Sequence, residues 1–181
     1  MKPVWQTLAI LLSMLYPFLW YWGRDHGHFG MLAAVMGAVW AIRGLLQRDQ
    51  GQRLVSALLA AFFLSAWLLQ RPDAMYWYPV LVNVLMLSLF AGSLVRGPSI
   101  VERLARLQHP ELPEAGVRYT RRVTQIWCLF FVINGSITLA LTLMQQWDAW
   151  ALYTGIIAYL LMGALLAGEW LWRRHLPALK P

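Results

Sequence analysis

The chain has 181 residues, of which 60% are hydrophobic and 13% are charged, and its mean hydropathy is +0.52. A soluble globular domain of this size needs far more polar surface, so composition excludes that class and predicts a membrane protein. The net charge is +7, but the basic residues lie at the ends of apolar runs, which is typical of topology signals and anionic-lipid contacts rather than nucleic-acid binding. The single cysteine, Cys128, excludes an internal disulfide.

Six apolar runs follow one another, and each approaches the roughly 20 residues that cross a bilayer as a helix. The first contains Pro17, which predicts a kink, and it lacks a small-residue cleavage site, so we expect a span rather than a removed signal peptide. The second is short, is rich in small residues and includes Arg43 near its end. The predicted spans are 4–22, 31–46, 54–69, 78–95, 123–144 and 150–172, in a single transmembrane domain of residues 1–181.

Positive charge is distributed unevenly between the two ends of these spans. With the N-terminus in the cytoplasm, thirteen of the 15 lysines and arginines face the cytoplasm, and only Arg24 and Arg71 face the opposite side. Cytoplasmic segments of inner-membrane proteins carry the excess of basic residues, so the distribution predicts an N-in/C-in orientation. It also favours an even number of spans, because both termini then lie on one side of the membrane.

The predicted cytoplasmic loop, residues 96–122, is the most basic part of the chain. Ser99 and Glu102 have the spacing of a capping box, which predicts a short helix that lies in the membrane interface with its arginines towards lipid phosphate. Pro110 and Pro113 end this helix, and a second short helix is predicted from about Pro113 to the last two arginines. The alternative is a solvated connector whose charges serve topology alone. The predicted docking or anionic-lipid residues are Arg96, Arg103, Arg106, Arg118, Arg121 and Arg122.

Polar side chains occur inside two consecutive predicted spans. Asn83 lies in the fourth span, and Asn134, Ser136 and Thr138 lie in the fifth. Polar groups in hydrocarbon face protein or a cavity, because exposure to lipid costs free energy. One interpretation is interhelical hydrogen bonding, and the other is a polar-lined cleft that binds a lipidic or acyl substrate.

Two further groups of titratable residues were considered as sites. Glu169, near the cytoplasmic end of the sixth span, forms an i,i+4 pair with Arg173 in one interpretation and couples protons in the other. His26 and His28 lie beside Asp25 on a short external turn, where a solvated loop is favoured over a metal site. We therefore predict no metal and no cofactor.

Motifs of known enzyme classes are missing from the sequence. It contains no HExxH, no GxSxG, no Walker-type phosphate loop and no His-x4-Asp acyltransferase pattern. Acidic residues are also too few and too scattered for the acidic-cluster metal site of a prenyl- or phosphotransferase. These absences favour a non-catalytic protein without excluding an enzyme of unfamiliar chemistry.

Two stretches in the middle third of the chain carry a family resemblance. They read YPVLVNVLMLSLFAGSLVRGPSIVERLARL, residues Tyr78–Leu107, and VRYTRRVTQIWCLFFVINGSITL, residues Val117–Leu139. Together they resemble a family of small, uncharacterised polytopic inner-membrane proteins encoded in Gram-negative gene clusters for aryl-polyene pigments, including the xanthomonadin type. A weaker resemblance is to the intracellular septation protein A family, which implies a role in envelope maintenance and division.

The first resemblance implies a pathway context. In that context an acyl-carrier-protein-dependent pathway esterifies an aryl-polyene chain to lipid for export to the outer membrane. The implied partners are the phospholipid bilayer, acyl carrier protein and other proteins of the pathway.

We therefore expect an all-α polytopic protein of the bacterial inner membrane. The leading hypothesis is a non-catalytic accessory protein in assembly or export of an aryl-polyene lipid, with a basic docking loop and a polar-lined cleft between the fourth and fifth spans. The alternatives are a transporter or flippase subunit that uses Glu169, a membrane-bound lipid-modifying enzyme, and a septation protein. The sequence carries no indication of an oligomeric state.

Overall fold

The computed structural model describes residues 15, 16, 19 and 29–174, and this part of the chain is helical and contains no strand. Most of the predicted first span, 4–22, and the external turn with Asp25, His26 and His28 lie outside the described residues. The described helices are α1 (Phe29–Leu46), α2 (Gln50–Leu68), α3 (Tyr78–Val95), α4 (Ile100–Arg106), α5 (Glu114–Leu143), α6 (Trp147–Leu152) and α7 (Ala158–Arg174). A 3-10 helix, Pro72–Trp77, precedes α3, and a π-helical turn, Tyr153–Ile157, joins α6 to α7.

The chain is an all-α polytopic membrane protein. Four described helical segments are long and apolar enough to cross a bilayer: Gln50–Leu68, Pro72–Val95, Glu114–Leu143 and Trp147–Arg173. Only 17–28% of the apolar window in each segment is buried, so most of these side chains point outward, where only lipid solvates them favourably. The predicted second span, 31–46, corresponds to a shorter apolar helix, Gly30–Leu46.

One compact unit combines Met1–Pro79 with Ala140–Ile156. Within it α1 and α2 pack as an antiparallel pair, and three glycines of α1, spaced seven residues apart, lie against α2. A Cβ atom added at Gly37 would lie 3.5 Å from Phe63 Cβ, and one added at Gly44 would lie 3.3 Å from Ser56 Cβ. The absence of a side chain at these positions therefore permits close approach of the two helix backbones, as in small-residue packing of membrane helices.

Aromatic rings fill another part of the same unit. Tyr16 is fully buried, packs edge-on against Tyr78, and donates a hydrogen bond from its hydroxyl to the carbonyl oxygen of Met75. Trp150 is also fully buried and packs against Tyr76. Both Tyr78 and Trp150 are therefore used in packing within this unit.

The second compact unit combines Val80–Leu139 with Ile157–Pro181. Two contacts show that α3 and α5 are antiparallel, since Asn83 meets Asn134 and the carbonyl oxygen of Leu94 accepts a hydrogen bond from Arg121. The contact positions move in opposite directions along the two helices, as antiparallel packing requires.

The basic loop is shorter than the predicted 96–122. The predicted second short helix is not separate, because α5 begins at Glu114 and continues without interruption through the fifth span. Pro113 lies immediately before this helix, where its missing N–H costs nothing, and no later proline interrupts the run. Three of the six predicted docking residues, Arg118, Arg121 and Arg122, therefore lie on the first turns of a long helix rather than in a loop.

Candidate functional site

The two predicted intramembrane amides bind each other. Asn134 Nδ2 donates to Asn83 Oδ1 over 2.9 Å, and each residue is 7% exposed. Gly135 allows this contact, because a Cβ atom there would lie 3.1 Å from Asn83 Cβ. Thr138 is buried beside them and donates its hydroxyl to the carbonyl oxygen of Asn134 over 2.8 Å, whereas Ser136 is exposed. Three of the four predicted cleft residues thus meet at one contact between α3 and α5, and the geometry is that of an interhelical hydrogen bond.

The helix predicted after the fourth span forms as α4. Ser99 caps it by accepting the backbone N–H of Glu102 over 3.3 Å, as the capping-box spacing predicts. Ser93, in the last turn of α3, accepts the backbone N–H of Ile100 over 3.1 Å and so ties the start of α4 to the end of α3. The exposed side chain of Leu104 leaves an apolar surface on α4, which suits a helix at a membrane interface.

The arginines of α4 bind the protein rather than facing away from it. Arg106 forms a 2.8 Å ion pair with Glu102, whose side chain is only 8% exposed. Arg103 donates from Nε to the carbonyl oxygen of Pro98 over 2.9 Å. The capping-box spacing predicts only a capping role for Glu102, although its i,i+4 spacing from Arg106 is also typical of an ion pair. These two arginines are therefore partly neutralised or held in place by local contacts.

The remaining arginines of the basic region differ in their partners. Arg118 pairs with Glu114 over 3.4 Å, but both side chains are well exposed, so the pair adds little stability. Arg121 donates from Nη2 to Leu94 O over 3.0 Å, which places a cation at the negative end of the α3 dipole. Two further arginines are exposed and have neither an ion pair nor a side-chain hydrogen bond within the described residues: Arg96 and Arg122.

These residues gather at one end of the second unit. The Ser93–Ile100 and Leu94–Arg121 contacts bring together the end of α3, the start of α4 and the start of α5. Residues 96–122 contain six arginines and three glutamates, so this end carries a net positive charge. We call the set Arg96, Arg103, Arg106, Arg118, Arg121 and Arg122 the basic end.

Glu169 joins the last helix to the basic end. Its carboxylate lies 3.8 Å from Arg173 Nε, as the i,i+4 spacing predicts, and it accepts a 3.1 Å hydrogen bond from the Tyr119 hydroxyl. No sequence pattern indicates the contact with Tyr119, because the two residues are 50 positions apart along the chain. The Glu169 side chain is 22% exposed, and its neighbours are a cation and a hydroxyl donor. The hydrogen bond from Tyr119 fastens α7 to the start of α5.

Metal-binding groups do not cluster in the described part of the chain. In that part, no group of three or more His, Cys, Asp or Glu side chains lies close enough together to hold a metal ion. The predicted pair His26 and His28 lies outside the described residues.

Comparison of the chain with known protein families, with curated proteins and with solved structures finds no match. The function is therefore argued from the residues of this chain.

Proposed function

We propose that this protein is a non-catalytic accessory protein of the bacterial inner membrane, and that the basic end docks an acidic partner on the cytoplasmic side. The observation that carries the proposal is the exposure of Arg96 and Arg122, which have no ion-pair partner within the described residues. A guanidinium held in water beside other cations attracts a multiply charged anionic surface, because each added charge raises the local potential.

The orientation follows from the distribution of charge. The basic end collects cations from three helix termini of one unit, and cytoplasmic segments are the ones that carry such an excess. With the basic end in the cytoplasm, the chain has the N-in/C-in topology that the full set of lysines and arginines favours.

The partner class follows from the resemblance of residues Tyr78–Leu107 and Val117–Leu139 to proteins of aryl-polyene gene clusters. In such a pathway the acyl chain travels on acyl carrier protein and ends on a lipid, and both present acidic groups. The proposal is that the basic end receives acyl carrier protein or lipid phosphate while the aryl-polyene lipid is assembled or exported. Asn83 and Asn134 then stabilise the α3–α5 pair that presents the basic end.

Deletion of the gene tests pathway membership. Pigment is extracted from inner- and outer-membrane fractions of the deletion strain and of the same strain carrying the gene on a plasmid. The proposal expects less pigment in the outer membrane of the deletion strain and recovery on complementation. Unchanged pigment content and location would rule out the proposed pathway.

Charge reversal tests the docking surface in the complemented strain. Arg96→Glu with Arg122→Glu removes two exposed cations that make no described contact, so the fold is retained and docking is lost. Arg71→Glu, an exposed arginine outside the basic end, is the matched control. We expect pigment export to fall in the double variant and not in the control, with equal protein levels in the membrane. Normal export by the double variant would mean that these arginines act only in topology.

A further inference from the structure

A groove of about 950 Å³ runs along the α1–α2 pair of the first unit, and none of its lining residues belongs to the basic end. Its floor consists of small side chains, including Ala38, Ala41, Ala57 and Ala61, which are themselves exposed. The groove is therefore open along its length, and its size lies within the range of lipid and small-molecule sites, roughly 300–1,000 Å³.

The groove is apolar except at one end. Gln50 and Arg53 line it where α2 begins, and Trp67 lines it near the other end of α2. Arg53 has no ion pair or side-chain hydrogen bond among the described residues, and the nearby carboxylate of Asp49 is engaged by the backbone N–H of Gln52. One end of an otherwise apolar surface thus carries a cation that has no ion-pair partner in the described part of the chain.

Neighbouring groups add to this positive charge. Arg43, in the last turn of α1, lies with its guanidinium 4.8 Å from the ring centre of Trp40, and its Nε is buried without a hydrogen-bond partner in the described structure. Arg43 and Arg53 are two cations against the single carboxylate of Asp49 at this end of the α1–α2 pair, which favours a ligand with an anionic head.

The groove is long enough for the acyl chain of one leaflet. Arg53 and Trp67 line it near its two ends, and the segment of α2 between them is about 21 Å long at 1.5 Å per residue. Half of a hydrocarbon core of roughly 30 Å is about 15 Å. An acyl chain whose phosphate contacts Arg53 therefore fits within the length of the groove.

We propose that this groove binds one acyl chain of a membrane phospholipid and that Arg53 holds the lipid phosphate. A second copy of the chain fits the groove less well. In a two-fold dimer about the membrane normal, equivalent residues meet at equal depth, so Arg53 would face the partner's Arg53. A phospholipid supplies the missing negative charge instead.

The test measures lipid binding to the purified full-length protein by native mass spectrometry. The probes are palmitoyl-oleoyl phosphatidylglycerol and palmitoyl-oleoyl glycerol, which lacks the phosphate. The variants are Arg53→Gln and the pair Ala57→Leu with Ala61→Leu, which fills the groove. The matched controls are Arg48→Gln, a neighbouring exposed arginine that does not line the groove, and Ala164→Leu with Ala167→Leu, exposed alanines of α7.

The wild-type protein is expected to bind one phosphatidylglycerol saturably and to bind palmitoyl-oleoyl glycerol at least about tenfold more weakly. Arg53→Gln weakens phosphatidylglycerol binding about tenfold by removing a charge-assisted hydrogen bond. The groove-filling pair abolishes saturable binding, and both controls bind as the wild type does. Circular dichroism and elution volume establish that each variant is folded.

Three results would overturn the proposal. Equal affinities of Arg53→Gln and Arg48→Gln would show that Arg53 does not hold phosphate, and this comparison stands even if the groove-filling pair does not fold. Unchanged lipid affinity in a folded groove-filling pair would place the lipid elsewhere. A wild-type dimer that this pair converts to a monomer, without a change in lipid binding, would assign the groove to a second copy of the chain.

Discussion

Removing the Asn83–Asn134 hydrogen bond tests whether the two intramembrane amides hold helices together or line a substrate cleft. Removing both side chains with alanine deletes one 2.9 Å bond between residues that are each 7% exposed. Interhelical hydrogen bonds in membranes contribute about 0.6 kcal/mol on average and at most about 1.7 kcal/mol. Because this pair is buried and its distance is near optimal, we expect a coupling energy of about 1 kcal/mol.

A double-mutant cycle measures this coupling. Asn83→Ala, Asn134→Ala and the double variant are unfolded in mixed micelles, and the free energies of unfolding are compared with wild type. Ser136→Ala is the matched control, since Ser136 is exposed on the same helix, and we expect a change within about 0.5 kcal/mol. A coupling energy near zero would refute the structural role of the amide pair. If such a variant also lost pigment export, the amides would instead line a substrate cleft.

Four further changes test other contacts, and the free energy of unfolding is the measurement for all of them except Ser99→Ala. Gly44→Leu forces a side chain into the α1–α2 contact and should cost about 1–3 kcal/mol, whereas Gly168→Leu, where nothing lies within 4 Å, should cost less. Tyr119→Phe removes the hydroxyl that donates to Glu169 and should cost about 1 kcal/mol. Glu169→Gln keeps an acceptor and should cost less than Tyr119→Phe. Ser99→Ala removes the N-cap of α4 and should cost about 1 kcal/mol locally, seen as faster amide hydrogen exchange in that helix.

Each of these expectations has a contradicting result. Equal losses for the two glycine variants would mean that α1 and α2 are not in close contact at Gly44. Stability unchanged by Tyr119→Phe would show that the hydroxyl does not fasten α7. Loss of pigment export in a stable Glu169→Gln protein would favour a proton-coupled transporter. Unaltered exchange in Ser99→Ala would show that the cap does not hold α4.

The positions of the helices were predictable because hydrocarbon imposes a local requirement. A chain in lipid must satisfy its backbone hydrogen bonds internally, so every long apolar run becomes a helix whatever it packs against. The predicted fourth span, 78–95, agrees with α3, and the predicted fifth span, 123–144, lies within α5 except for its last residue. The cap at Ser99 and the pair Glu169–Arg173 were predictable for a similar reason, since both join residues within one helical turn.

The contacts between helices were not predictable in the same way. In water an apolar stripe marks the buried face of a helix, but lipid makes both faces of a spanning helix apolar, so hydropathy no longer shows which face packs. Tyr78 and Trp150, for example, are buried in aromatic packing that hydropathy does not indicate. The continuous α5 was also missed, because the change from polar to apolar residues after Arg122 looks like a boundary although the backbone continues through it.

The sequence by itself determined that this is an all-α membrane protein and which segments are polar, basic or rich in small residues. Only the tertiary structure decided how these features meet: Asn134 with Asn83 across 51 residues, Tyr119 with Glu169 across 50, and a groove along α1 and α2 that has a cation at one end. The physical reason is that a helix in lipid forms from interactions within itself. Its neighbours are selected by a few small or polar side chains whose partners lie far away in the chain.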